Sequence, residues 1–290
     1  AQGDAVISGA GTSWVNAEQL NIGSFGTGTM RIEDGASVTS NQGYIGANAT
    51  GSVVVTGAGS NWLVTTFSMT VGNAGDGSLT IENGGLVRAE GGFSLGSAAG
   101  SSGTVTVQGT AGNFGVLETS QIGAGLGTID FSLDGGILRA TADNDSFFTG
   151  FDAHDIALGA NGGVIDTDGH DIGISPRFAG TGGLTKDGLG TLTLSGANSY
   201  AGATLVNAGT LLVNGDQSAA TALTTIFSGA TLGGNGIIGG NVDIRDGAIL
   251  APGESPGTLT INGNLSLAGG SILAYEFGQA NVVGGALNDL

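Results

Sequence analysis

The chain has no cysteine, three prolines, two histidines and six basic residues, of which only Lys186 is a lysine. Without cysteine, neither a disulfide framework nor a thiolate metal site can be built. Six basic residues stand against 24 acidic ones, for a formal net charge of −18. A polyanion of this kind repels phosphate backbones, so nucleic acid is excluded as a partner. No apolar run approaches the roughly 18 residues that a spanning helix needs, so no membrane insertion of this segment is expected. Ala1 opens without a charged stretch and an apolar core behind it, so any export signal is expected to have been removed or to lie outside the chain.

What the chain has in abundance is glycine, 60 residues of 290, together with a 40% hydrophobic fraction. The glycines keep no three-residue period, which excludes collagen, and the apolar fraction is too high for a disordered linker. Glycine, Thr, Ser, Asn and Val with few helix formers point to many short strands joined by tight turns. Gly51–Gly72, GSVVVTGAGSNWLVTTFSMTVG, shows the unit. Val53 and Val55 alternate with Val54 at a period of two, GAGSN supplies a corner, and a second β-prone run closes on Gly72.

The unit recurs. Gly-[Ser/Thr]-apolar-x-apolar stands at Gly28, Gly51, Gly77, Gly103 and Gly127, in steps of 23, 26, 26 and 24 residues. An apolar-Gly pair keeps the same rhythm at Ile22-Gly23, Ile45-Gly46, Val71-Gly72, Leu95-Gly96 and Ile122-Gly123. A longer period is superimposed. GAGTSW ending at Trp14 matches GAGSNW ending at Trp62, with GTAGNF ending at Phe114 as a looser copy, while intervening units carry Asp34-Gly35, Asn83-Gly84 and Asp134-Gly135 turns. Two unit types therefore alternate, giving a super-repeat of about 50 residues.

A unit of about 25 residues cannot bury its apolar face alone, but stacked coils can. The expected fold is all-β, a right-handed parallel β-helix. Met30/Ile32, Val53/Val55, Leu79/Ile81, Val105/Val107 and Ile129/Phe131 should form inward columns, with Arg31, Val54, Thr80, Thr106 and Asp130 outward. At a strand spacing of about 4.8 Å, some eleven coils make a rod of roughly 50–60 Å. A propeller would need blades of about 40 residues or more. Three segments are expected: 1–140 with alternating coils, a modified coil or loop over 141–179, and a second repeat region over 180–290. In Thr141–Ile156, Phe147, Phe148 and Phe151 either fill a bend of the core or form an exposed partner-binding loop.

Gly180–Gly215, GTGGLTKDGLGTLTLSGANSYAGATLVNAGTLLVNG, closely resembles the autotransporter-associated β-strand repeat of type V secreted passenger domains. ALGANGGVIDTDGHDIGI before it and LAPGESPGTLTINGNLSLAGGSILAYEF after it resemble segments found upstream of the translocator in such proteins. The 50-residue super-repeat resembles a further repeat class of exported surface proteins. The resemblance implies a right-handed parallel β-helix displayed at the surface of, or secreted by, a Gram-negative bacterium. It also implies export through the protein's own C-terminal β-barrel translocator. No run of amphipathic, aromatic-girdled strands occurs up to Leu290, so the chain is expected to be a passenger or part of one.

Few constellations could carry chemistry. Gly92-Phe-Ser94-Leu-Gly96 fits G-x-S-x-G, but a nucleophile elbow needs a strand-to-helix turn, and Ser94 stands in the strand that ends each repeat. His154 and His170 with Asp152, Asp155, Asp168 and Asp171 could be drawn as a cluster, yet DTDG-like segments use Asp to cap turns. Of the calcium-binding GGxGxD repeat, Gly233-Gly-Asn-Gly-Ile-Ile lacks the Asp and Gly72-Asn-Ala-Gly-Asp76-Gly is a single irregular instance; Asp143/Asp145 offer at most a weak site, and there is no P-loop or dinucleotide fingerprint. Neither catalytic residues, metal nor cofactor are expected. Trp14, Trp62 and Phe114 could line a glycan-binding face or pack as an internal ladder. The expected function is adhesion to a host-cell receptor, matrix protein, glycan or another bacterium. The alternative is a secreted effector that engages one host receptor.

Overall fold

The computed structural model describes residues 2–110, 112–151, 154–253 and 257–275. Asp152, Pro256 and the last fifteen residues of the chain, including the last two of the LAPGESP…AYEF segment, lie outside them. Among the described residues all regular structure is β, and nearly every pairing is parallel and joins one coil to the next. Each coil contributes short strands to three faces. The first face stacks Gln2–Ser8, Thr27–Glu33, Gly51–Thr56, Asp76–Glu82, Ser102–Thr110, Thr128–Asp134, Ile156–Leu158 and Phe178–Gly180. The second belongs to a sixteen-stranded sheet. Four of its strands, Met69–Val71, Phe93–Leu95, Ile122–Ala124 and Phe148–Thr149, turn onto the third face, which leaves twelve stacked on the second. The long strand Ser37–Ile45 joins the two arms, pairing with Asn61–Val64 through its first half and with Met69–Val71 through its second. Twelve strands make eleven coil-to-coil steps, a rod of roughly 53 Å at the usual strand spacing. The protein is a parallel β-solenoid.

The inward columns hold one continuous core. Met30, Val53, Leu79, Val105 and Phe131 stand in register, and beside them Ile7, Ile32, Val55, Ile81, Val107, Leu133 and Leu158. All are buried. The last coil differs from the sequence pattern. Phe131 and Leu133 fill the columns assigned to Ile129 and Phe131, because the strand is slipped by two residues and Ile129 faces Gly103. The apolar-Gly marker slips equally: Ala124, not Ile122, pairs with Leu95, and Gly125 N–H donates to Leu95 O at 2.8 Å as Gly96 N–H does to Val71 O. The step along the column stays at 26 residues.

The two glycine markers turn out to be two sides of one corner. Gly72 has φ +76°, and a Cβ there would lie 2.1 Å from Ser102 O; a Cβ on Gly77 would lie 2.2 Å from Gly72 N. Backbones stacked this closely admit only glycine. The super-repeat is written at another corner. Asp34-Gly35 and Asn83-Gly84 both have two consecutive residues at positive φ, whereas the coils between place Gly57 and Gly59 there. Asp134 does not follow the first pattern, since only Gly135 of that pair is at positive φ.

Coil length changes along the rod without any break in stacking. The column Ile7, Ile32, Val55, Ile81, Val107, Leu133, Leu158 advances by 23 to 26 residues per coil, while Lys186, Val206, Ile226 and Ile244 advance by 20, 20 and 18. The second face runs through positions 140/141 and 179/180, as Arg139 pairs with Asp166 and Asp166 with Asp187. The described residues of 141–151 join the stack: Phe148–Thr149 pairs with Ile122–Gly123, and Asn144 bridges to Ile172.

Candidate adhesive surface

A β-solenoid repeats its outer surface as faithfully as its core, so the residues available to a partner come in columns. On the first face Val6, Arg31, Val54, Thr80, Thr106 and Ser132 stand in one outward column; Ser132, not Asp130, follows Thr106 because of the two-residue slip. Beside it runs a hydroxyl column, Thr29, Ser52, Ser78 and Thr104, with Asp4 at one end and Asp130 at the other. Neighbouring coils bond laterally: Ser132 Oγ donates to Thr106 Oγ1 at 3.2 Å, and Thr29 Oγ1 to Asp4 Oδ1 at 2.6 Å. The result is a strip mainly of hydroxyl and short apolar groups, with Arg31 within it and Asp4 and Asp130 at its ends.

The second face carries an ion-pair ladder. Arg88, Glu118, Arg139 and Asp166 are register partners on successive coils. Arg139 reaches Glu118 at 2.7 Å and Asp166 at 2.7 Å, and Arg88 reaches Glu118 at 3.5 Å and Glu90 at 3.3 Å. Burial works against the Arg139 charge, but its hydrogen bonds to Asp166 and Glu118 outweigh that and raise its pKa. Opposite charges facing one another across strands stabilise the stack locally.

The aromatic candidates are mostly inside. Trp62 is fully buried in the column Val38–Trp62–Val87, and its indole N–H donates to Ser40 Oγ at 3.0 Å. Trp14 stands in the same column on the first coil and is 39% exposed. Phe114 is off the ladder. It belongs to a short antiparallel excursion, paired with Gly109, and Leu117 takes the column position. Phe147, Phe148 and Phe151 are buried and pack edge-to-face, with Phe148 also against Phe131 at 5.5 Å. They are core residues and present no ring to a partner.

The histidine and aspartate candidates separate into corners. Asp143 Oδ1 accepts the Asp171 backbone N–H at 3.1 Å and lies 3.1 Å from His170 Nδ1; the backbone bond first, then His170, holds its carboxyl below the usual range. Asp155 pairs with Arg177, whose hydrogen bonds lower its pKa. Asp168 takes the positive-φ place of a turn, and the His154 ring stacks edge-on near Phe151. Among the described residues no three His, Cys, Asp or Glu are placed to hold a metal ion. Ser94 lies mid-strand on the third face, paired with Thr70 and Gly123, with no helix behind it.

One buried group escaped the sequence reading. Lys186 occupies the inward column between Ile165 and Val206. Its ammonium donates to Thr167 Oγ1, Asp187 O, Gly188 O and Ala208 O at 2.7–3.1 Å, tying neighbouring coils together, and burial pulls its pKa down to about 8. The signal was present: Leu184 and Lys186 share parity in LTKD, and Leu184 is a core residue.

The stacked parallel strands place the chain in the class of parallel β-solenoids, whose outer faces repeat coil by coil. A family model of the passenger-associated-transport-repeat matches residues 184–213, the stretch around Lys186. The whole chain is 37% identical over 301 residues to the adhesin BmaC autotransporter of Brucella suis biovar 1 (strain 1330). Over 87 residues, 30% of the chain, it is 41% identical to an extracellular serine protease of Serratia marcescens. The chain spans 8% of the length of each of these relatives. No solved structure matches it. These similarities support an autotransporter passenger domain, at the cell surface of or secreted by a Gram-negative bacterium.

Proposed function

We propose that this passenger segment is an adhesive rod that binds a host-cell surface, extracellular matrix or another bacterium without catalysis. The observation that carries this reading is the in-register outer strip of the first face, from Val6 to Ser132. Hydroxyl and short apolar groups can dock against a partner without the cost of stripping water from carboxylates. Each contact is weak, and the repetition of equivalent positions supplies avidity. The full-length similarity to a protein named as an adhesin supports the same reading. The similarity to a protease covers less than a third of the chain, and Ser94 lacks the surroundings of a nucleophile.

Coil deletion tests this. Gly28, Gly51, Gly77 and Gly103 are register partners, so removing residues 51–76, or the full super-repeat 51–102, lets the flanking coils pair as before. Displayed on a non-adherent host, the rod should lose cell binding in steps as coils are removed. Undiminished binding after removal of every coil before Gly127 would overturn the distributed-contact reading. An abrupt loss on altering the 143–154 corner alone would favour a single-receptor effector.

A further inference from the structure

The second face holds a groove that the adhesive strip does not use. Its volume is about 530 Å³, and it runs along the rod over four coils. The floor is an outward column in register, Ile137, Val164, Thr185 and Leu205, half-buried and one residue wide. The Phe114 excursion stands at one end. Asn161 and Asn207 flank the floor with exposed carboxamides, neither of which bonds to another described side chain or backbone group. The corner beside the floor is built of stacked glycines such as Gly162 and Gly183, where a Cβ on the first would lie 2.7 Å from the carbonyl of the second. No side chain can grow there to fill the hollow.

We infer that this groove binds a neutral oligosaccharide, an inference that rests on the adhesive reading and names one partner chemistry for it. A narrow apolar floor with a few convergent polar groups is the general form of a small-ligand site. The apolar C–H face of a pyranose ring lies flat on such a floor, with its hydroxyls turned to the carboxamides at the edge. An added peptide strand is excluded here, because Gly163 is already paired with Gly136 on one side and Leu184 on the other, and strand addition needs a free edge. Charge sets the class of sugar. The nearby cations Arg88 and Arg139 are committed to the ion-pair ladder, Asp187 lines the groove, and the chain carries −18 overall. Sialylated or sulfated glycans would meet repulsion, since among the described residues no cation lines the groove.

The test uses the complete chain on a printed array of neutral galactose-, glucose- and N-acetylglucosamine-containing oligosaccharides beside sialylated and sulfated counterparts. Binding to neutral members is expected, insensitive to salt. Val164→Glu, on the outer side of its strand, and Asn161→Ala/Asn207→Ala should each weaken it by about tenfold or more, as expected for two lost hydrogen bonds or a charge in the floor. Ser94→Ala, on the third face, should leave it unchanged, and circular dichroism should show all variants folded. No binding to neutral glycans, a preference for anionic ones, or binding untouched by both groove variants overturns the inference. Cell adhesion that persists with no glycan binding sinks the groove alone. Glycan binding that survives while coil deletion leaves cell adhesion unaltered sinks the distributed strip alone.

Discussion

Ile81 and Thr80 are neighbours in one strand and point to opposite sides of it, which makes them a sensitive probe of the solenoid. Ile81 is fully buried between Val55 and Val107 of the adjoining coils. Truncation to alanine removes three carbons from a site walled above and below by strands that cannot collapse independently, and should cost about 2–5 kcal/mol. Thr80 is half-buried on the outer face and its truncation should stay within about 0.5 kcal/mol. With a urea m-value on the order of 3 kcal/mol/M, Ile81→Ala would lower the unfolding midpoint by roughly 0.7–1.7 M. Far-UV circular dichroism reports the sheet, and tryptophan fluorescence reports the neighbouring coil, because Trp62 is fully buried while Trp14 is partly solvated. Midpoints that fall equally for the two variants, or a spectrum dominated by helix, would refute the inward-outward assignment and the fold with it.

Three further outcomes follow from buried or paired groups. Lys186 has a folded pKa near 8 against an ordinary value of 10.5, so between these limits the unfolded chain holds a proton that the folded chain has released. Stability should therefore rise from pH 8 to pH 10, and Lys186→Met should abolish that slope in pH-dependent denaturation. Ser94→Ala should leave adhesion intact, and a covalent serine-hydrolase probe should not label the wild type; labelling at Ser94 would reverse the non-catalytic reading. Arg139→Ala strips Glu118 of its shorter ion pair and should cost about 1 kcal/mol in low salt, less at high salt, read as a midpoint shift.

The solenoid was legible because its two periods are local. Val53, Val54 and Val55 declare inside and outside by parity, and Gly72 and Gly77 mark a corner whose backbone contacts forbid any side chain. Register was less legible. Gly127-Thr-Ile-Asp-Phe131 copies the motif of Gly103-Thr-Val-Thr-Val107, yet the strands align two residues apart, since pairing is decided by which apolar pair fills the column and not by where glycine falls. Phe114 misled for a similar reason: an aromatic after a glycine turn marks the corner, but the antiparallel excursion at Gly109 removes it from the column. Lys186 was invisible to a reading that treats lysine as a surface residue, although its parity placed it inside. The groove could not be foreseen at all, because its floor and its glycine corner come from four coils about twenty or more residues apart, joined only by stacking.

Stacking also separates what stabilises the rod from what the rod presents. Each coil rests on its two neighbours through inward columns and backbone pairing, so stability is close to a sum of nearest-neighbour terms. The outer hydroxyl column from Thr29 to Thr104 takes no part in the core, and changes there should cost little in folding. A chain built this way can alter its contact surface coil by coil while Ile32, Val55, Ile81 and Val107 remain as they are. The ion-pair ladder of the second face is the exception, since Arg139 and Glu118 serve both the stack and its surface. Asp187, the register partner of Asp166, carries that column to the groove, so a ligand lying there would meet side chains on strands that the stack already holds in place. Binding would then cost little reorganisation. The first face offers repetition and the second a fixed hollow, and the two can be varied independently on one scaffold.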